Sequence, residues 1–117
     1  MPSMTTCRFG DIILVPFPFT DQTTTKKRPA VVISAEAYNS GRPDLIIMAI
    51  TSRLHQVGKL GEQPVAGWQR AGLLKPSVFK PILATIENTL VLKQLGTLQD
   101  DDRHTITRIL QDILGTA

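Results

Sequence analysis

Only one stretch of the chain carries a helical period, and it lies at the C-terminal end. Ile106, Ile109, Leu110, Ile113 and Leu114 recur at i, i+3, i+4, i+7 and i+8, the spacing of one apolar face on an α-helix. Asp100, Asp101 and Asp102 ahead of it supply an N-cap and suit the positive end of the helix dipole. Gly115 suits the C-terminal cap. Upstream, the apolar segments are short, rich in β-branched residues and ended by Gly, Pro or polar clusters, which is strand chemistry. With no crossover helices between them, such strands cannot build a parallel sheet of βαβ units. A mainly β fold follows: a small antiparallel barrel or strongly bent sheet, with the terminal helix covering a face or an opening.

The strands can be placed. Residues 11–18 (DIILVPFP) read as the first, and Pro16 and Pro18, each lacking a ladder donor, end it or keep it at an edge. Residues 20–27 (TDQTTTKK) have no apolar side chain and read as an exposed, mobile loop. Residues 29–34 (PAVVIS) and 45–51 (LIIMAIT) are strands. Residues 35–44 join them, and Asn39, Ser40, Gly41 and Pro43 there are turn chemistry. Residues 55–74 hold Gly58, Gly61, Pro64, Gly67 and Gly72 and read as loops around one short strand. Residues 78–86 and 89–92 read as further strands, interrupted at Glu87 and Asn88.

At 117 residues the chain makes one domain, residues 1–117, without room for a second core. Its 42% hydrophobic and 20% charged residues exclude a disordered polyelectrolyte. No apolar run approaches the roughly 20 residues that span a bilayer, so no membrane role is expected. Residues 1–10 have no apolar core of a secretory signal, and the lone Cys7 cannot form an internal disulfide, so a cytoplasmic location is expected. Charge is uneven: 11 Lys and Arg stand against 6 Asp and Glu up to Lys93, and 2 against 4 beyond it. A basic body with an acidic tail segment fits a polyanion bound away from the C-terminus.

If residues 29–34 and 45–51 are consecutive antiparallel strands, pairing Ser34 with Leu45 and counting outward brings Arg28 opposite Thr51 at the far end. The guanidinium fork suits phosphate: it can hold two oxygens and stabilise the added negative charge of a pentacoordinate transition state. RNA brings its own nucleophile, the 2′-hydroxyl, so such a site needs no Ser–His dyad and no metal. Lys26, Lys27, Arg53, Lys75 and Lys80 can extend the positive surface along a strand. Both residues also read as ordinary strand ends, a solvated charge and a β-branched terminus, and the pattern alone leaves that choice open.

The segments Gly10-Asp11-Ile12-Ile13-Leu14-Val15-Pro16, Lys27-Arg28-Pro29-Ala30-Val31-Val32-Ile33-Ser34 and Ala49-Ile50-Thr51-Ser52 resemble the three N-terminal blocks of the MazF/PemK family of type II toxin–antitoxin toxins. Leu74-Lys75-Pro76-Ser77-Val78 and Leu95-Gly96-Thr97-Leu98 match the family pattern in the same order. The resemblance implies an SH3-like barrel of the CcdB-like plasmid-maintenance type, a homodimer, metal-independent cleavage of single-stranded RNA (mRNA) without cofactor, and a cognate antitoxin. It also implies DNA binding as the antitoxin complex. The family's catalytic Arg and Thr fall on Arg28 and Thr51, and its products are 2′,3′-cyclic phosphate and 5′-hydroxyl ends. Ser52 and Ser77 correspond to groove positions, beside Lys27, Arg53, Lys75 and Lys80. Some relatives carry an acidic residue in the loop before the Arg; residues 23–27 have none, which leaves general acid and base unassigned.

His55, four residues past Thr51, reads first as a structural or idle loop histidine and second as a candidate for proton transfer. His104 reads as a surface residue of the helix. Two histidines and no cysteine cluster give no metal-ligand spacing, so no zinc site is expected. Trp68 reads first as partly buried core and second as a stacking platform for a base. The helix's apolar face reads as core, with any exposed remainder open to a dimer or antitoxin contact. The antitoxin expected for a basic groove is an acidic, flexible segment that competes with RNA. Two other readings stay open: a non-enzymatic gyrase poison like the CcdB group, acting through its C-terminal helix, and an inactive relative that only binds RNA or antitoxin.

Overall fold

A computed structural model describes residues 6–16, 26–54 and 58–115. Six strands and two helices follow in the order β1 (Asp11–Pro16), β2 (Lys27–Val32), α1 (Glu36–Gly41), β3 (Asp44–Thr51), β4 (Gln63–Pro64), β5 (Val78–Glu87), β6 (Lys93–Thr97) and α2 (Asp100–Ile113). They form one sheet, ordered β4-β5-β3-β2-β1-β6, in which each paired neighbour is antiparallel. The fold is mainly β: a curled antiparallel sheet with a C-terminal helix. No helix of the described residues is long and apolar enough to cross a membrane.

Bulges supply the curl. Between Met48 and Ala49 the β5 partner jumps from Leu83 to Lys80, and between Ile12 and Ile13 the β6 partner jumps from Gly96 to Gln94. Each jump bends its strand and tightens the twist. Pro81 sits inside the first jump, where no ladder N–H is required, which reconciles a proline with an interior strand.

Around the central strands both faces of the curled sheet are buried. Ile12, Val31, Met48, Ile50 and Phe79 point one way and pack with Val65, Leu73, Leu98 and with Ile106 and Ile109 of α2. Ile13, Val15, Ala30, Val32, Ile47 and Ala49 point the other way into a second cluster. Adjacent residues thus enter different clusters, the period of two expected of a strand. Burial on both faces explains why β1, β2 and β3 read as continuous apolar runs rather than as alternation.

Several boundaries differ from the sequence reading. Residues 35–44 contain a short helix, α1, rather than only a turn. A tertiary anchor overrides local turn preference there: the buried Asn39 amide donates to the Cys7 carbonyl at 2.8 Å and to the Ser34 carbonyl at 3.1 Å. Residues 89–92 are not a strand. Asn88–Leu90 form a single tight helical turn, fixed by the Asn88 N–H to the Pro43 carbonyl, and pairing with β1 resumes with β6. β2 starts at Lys27, two residues early. Residues 17–25, which include Pro18 and most of the expected mobile loop, lie outside the described residues.

The terminal helix forms where the period places it, but its ends differ. Its N-cap is Gln99, with no side-chain bond to the helix, and Asp102 is buried. At the other end Leu114 takes an extended conformation and stands 49% exposed, so it leaves the apolar face. Gly115 is not among the glycines with positive φ, so no left-handed cap closes the helix.

Candidate active site: a cationic cleft at the strand ends

β2 pairs with β3 as Ala30↔Ala49, Val31↔Met48 and Val32↔Ile47, the register expected from the sequence. The ladder stops there because Pro29 has no N–H to donate. Continuing the register brings Arg28 opposite Thr51, just past the last pair, on the face shared with Ala30 and Ala49. The β2–β3 ladder thus ends short of the two polar residues, while Arg28 stays paired with Val15 of β1 and Thr51 with Val78 of β5.

A cleft of about 670 Å³ opens at this end, and both Arg28 and Thr51 line it. Lys27 joins them from β2, Ser52 from the end of β3, and Lys75 and Ser77 from the segment leading into β5. β6 adds Lys93 and Gln94. Four cations line the cleft and, among the described residues, no Asp or Glu does. Such a concentration of positive charge attracts an anion. Apolar walls from Leu14, Pro29, Ile50 and Leu73 lower the local dielectric, which strengthens each charge–phosphate contact.

Thr51 Oγ1 accepts the Arg53 N–H at 3.1 Å. That bond orients the hydroxyl and leaves its proton to be donated into the cleft. The Ser77 hydroxyl instead donates to the Lys75 carbonyl at 2.8 Å, shaping its own turn, so toward a ligand it offers an acceptor. Val65 N–H donates to the Ser77 carbonyl and ties this segment to the residues behind it.

Residues that line the cleft lie along nearly the whole chain, and so does a family profile. The profile described as the PemK-like, MazF-like toxin of type II toxin–antitoxin systems matches residues 8–114. The chain belongs to this family. No curated protein matches it. Among solved structures, MazF (Form-I) from Deinococcus radiodurans superposes with a TM-score of 0.75 at 20% identity, covering 97% of this chain and 100% of that one. The MazE-MazF structure (Form-III) from the same organism gives 0.74 at 22%, again with 97% and 100% coverage. An endoribonuclease in complex with its cognate antitoxin from a mycobacterial species gives 0.68 at 15%, covering 92% and 91%. At these identities the likeness establishes the MazF fold.

Not every residue proposed from the sequence reaches the cleft. Arg53 is exposed and contributes its backbone N–H to Thr51, while its side chain is not among the lining groups. Lys80 also lies outside the lining, with Nζ 3.7 Å from the buried Glu62 carboxylate. His55 falls outside the described residues. His104 is exposed on α2, and Trp68 packs partly buried against the core.

Lys93 and Gln94 are the lining residues that sequence reasoning missed. The signal was present: Lys93 precedes the Leu95-Gly96-Thr97-Leu98 block of the family. It is hidden because residues 89–92, just before it, read as the strand in place of β6.

Proposed function

We propose that this family member is an endoribonuclease toxin that cleaves single-stranded RNA at the cleft built around Arg28 and Thr51. The observation that carries the reading is the convergence of an Arg fork, an oriented hydroxyl and three lysines in a cleft lined by no carboxylate among the described residues.

In the proposed reaction the 2′-oxygen of the substrate attacks the adjacent phosphorus and the bond from phosphorus to the 5′-oxygen breaks. The 2′-hydroxyl loses a proton and the departing 5′-oxygen gains one, giving 2′,3′-cyclic phosphate and 5′-hydroxyl ends. Arg28 binds the non-bridging oxygens and stabilises the charge that grows on them in the transition state. Thr51 donates its hydroxyl proton to one of the same oxygens and so fixes the orientation of the phosphate. Lys27, Lys75 and Lys93 hold flanking phosphates, and Ser52 and Ser77 contact the strand as polar wall groups. No step in this scheme draws on a metal. The relatives solved with MazE or with a cognate antitoxin support a partner for this chain too, an acidic segment that competes with RNA for the cleft. The active species proposed is a homodimer.

Purified protein incubated with a long RNA in EDTA tests the reading. Discrete fragments with 5′-hydroxyl ends, lost in Arg28→Ala, are expected. RNA left intact at high protein concentration, or cut equally by Arg28→Ala, overturns it.

A further inference from the structure

Asp102 is only 1% exposed, yet no cation is paired with it among the described residues. A buried carboxylate is costly unless its oxygens are hydrogen-bonded. Here each oxygen has a backbone amide: Oδ1 accepts from Ala66 N–H at 2.9 Å and Oδ2 from Gly67 N–H at 2.8 Å. Gln99, not Asp102, occupies the N-cap of α2, so the residue serves a loop remote in sequence rather than its own helix.

That loop runs directly into the cleft. Ala71 N–H donates to Gly67, Gly72 N–H to Gln69 and Leu73 N–H to Trp68, which makes residues 67–73 one hydrogen-bonded coil. Its far end is pressed onto β6: a Cβ on Gly72 would lie 2.1 Å from the Leu95 carbonyl oxygen, and one on Gly96 equally close to that of Ala71. Immediately beyond come Leu73, Lys75 and Ser77, which line the cleft with Arg28 and Thr51. Displacement at Ala66 and Gly67 is therefore carried along a stiff path to the lining groups.

We infer that Asp102 is a positioning residue: by holding the amides of Ala66 and Gly67 it sets where Lys75 and Ser77 stand relative to Arg28 and Thr51, and so how tightly the cleft holds a strand. This rests on the RNA-cleaving reading above. Asp102 is not among the groups lining the cleft, and its effect is exerted through the coil.

Two substitutions probe the same joint differently. Asp102→Asn keeps the shape but places an NH₂ donor against one of the two amide N–H groups. Gly67→Ala keeps the carboxylate but puts a Cβ 3.3 Å from Oδ2 and 3.0 Å from Gln99 Cγ, forcing the joint apart by a few tenths of an ångström. The measurements are steady-state cleavage of a short RNA carrying the mapped cut site, and amide hydrogen exchange on the whole protein. Each variant is expected to raise KM about tenfold with kcat held within about twofold, because binding geometry is altered and the charged groups remain. Exchange should quicken at residues 66–77 while β2 and β3 keep their protection. Unchanged kinetics in folded variants, or a fall in kcat with KM held, overturns the inference, and Gly67→Ala alone decides if Asp102→Asn fails to fold. Should the wild-type protein neither bind nor cut RNA, the functional reading falls separately. Exchange then decides the positioning: acceleration confined to residues 66–77 supports it, and an unchanged pattern overturns it.

Discussion

Arg28 and Thr51 reach the cleft on strand ends placed by register, whereas Lys75 and Ser77 reach it on a coil held from outside by α2 and β6. The first wall is local physics. The register of two neighbouring antiparallel strands, whose shared ladder stops short of Pro29 inside β2, brings an Arg and a Thr together. The second wall is tertiary. Residues 65–77, between β4 and β5, contain no strand and owe their shape to a buried carboxylate 35 residues away and to two glycines that let backbones touch. Chemistry on the register wall should therefore be sensitive to the side chain alone, while the tertiary wall should be sensitive to backbone substitutions.

The largest effect expected from this contrast is on the register wall. Arg28→Ala should lower kcat about a thousandfold, roughly 4 kcal/mol of transition-state stabilisation, with the melting temperature unchanged. Comparable losses of activity and stability together would mean that Arg28 is structural. On the tertiary wall, Gly72→Ala should act on the fold. It forces a side chain into φ +93° and against the Leu95 carbonyl, at a cost of about 3 kcal/mol, and should lower the melting temperature by roughly 10 °C. A variant that melts like the wild type would show that the coil does not press on β6.

Smaller effects are expected from Lys93 and from the Arg42–Asp44 pair. Lys93→Ala removes a cation that the sequence reading overlooked, and should weaken single-stranded RNA binding about fivefold. The slope of log affinity against log salt should become shallower by about 0.7, with kcat unaffected. Smallest is a pH effect remote from both walls. The Arg42 guanidinium, 2.9 Å from Asp44, holds that carboxyl below its ordinary value. Its contribution to stability is thus present above the ordinary carboxylate pKa and fades as pH falls through the lowered one. Arg42→Ala should remove only this acid-range component, read as the loss of a slight slope in melting temperature below about pH 4, the ordinary carboxylate range.

The same contrast explains what could be read without the structure. Register, face and the Arg28–Thr51 pairing followed from apolar period and one proline, because those signals are local. The C-terminal helix did too, since five apolar residues at helical spacing admit little else. Asp102 was misread because an acidic residue in a helix's first turn has an obvious local use, and nothing nearby in sequence reveals that it bonds Ala66 and Gly67 instead. α1 was missed for a related reason: Asn39 favours a turn in isolation, and only its buried bonds to Cys7 and Ser34 turn that preference aside. Lys80 looked like groove charge, but Glu62, 18 residues earlier, pairs with it. Long-range polar contacts leave little trace in local pattern.

In the proposed reaction the substrate supplies the nucleophile and the cleft supplies the charge. The decisive experiment compares cleavage of an RNA by excess wild-type protein with that of its twin carrying a single 2′-deoxy substitution on the 5′ side of the cut bond. The twin should bind with unchanged affinity and stay uncut at that bond. Cutting of the twin at the same bond and at a comparable rate would contradict the proposed reaction.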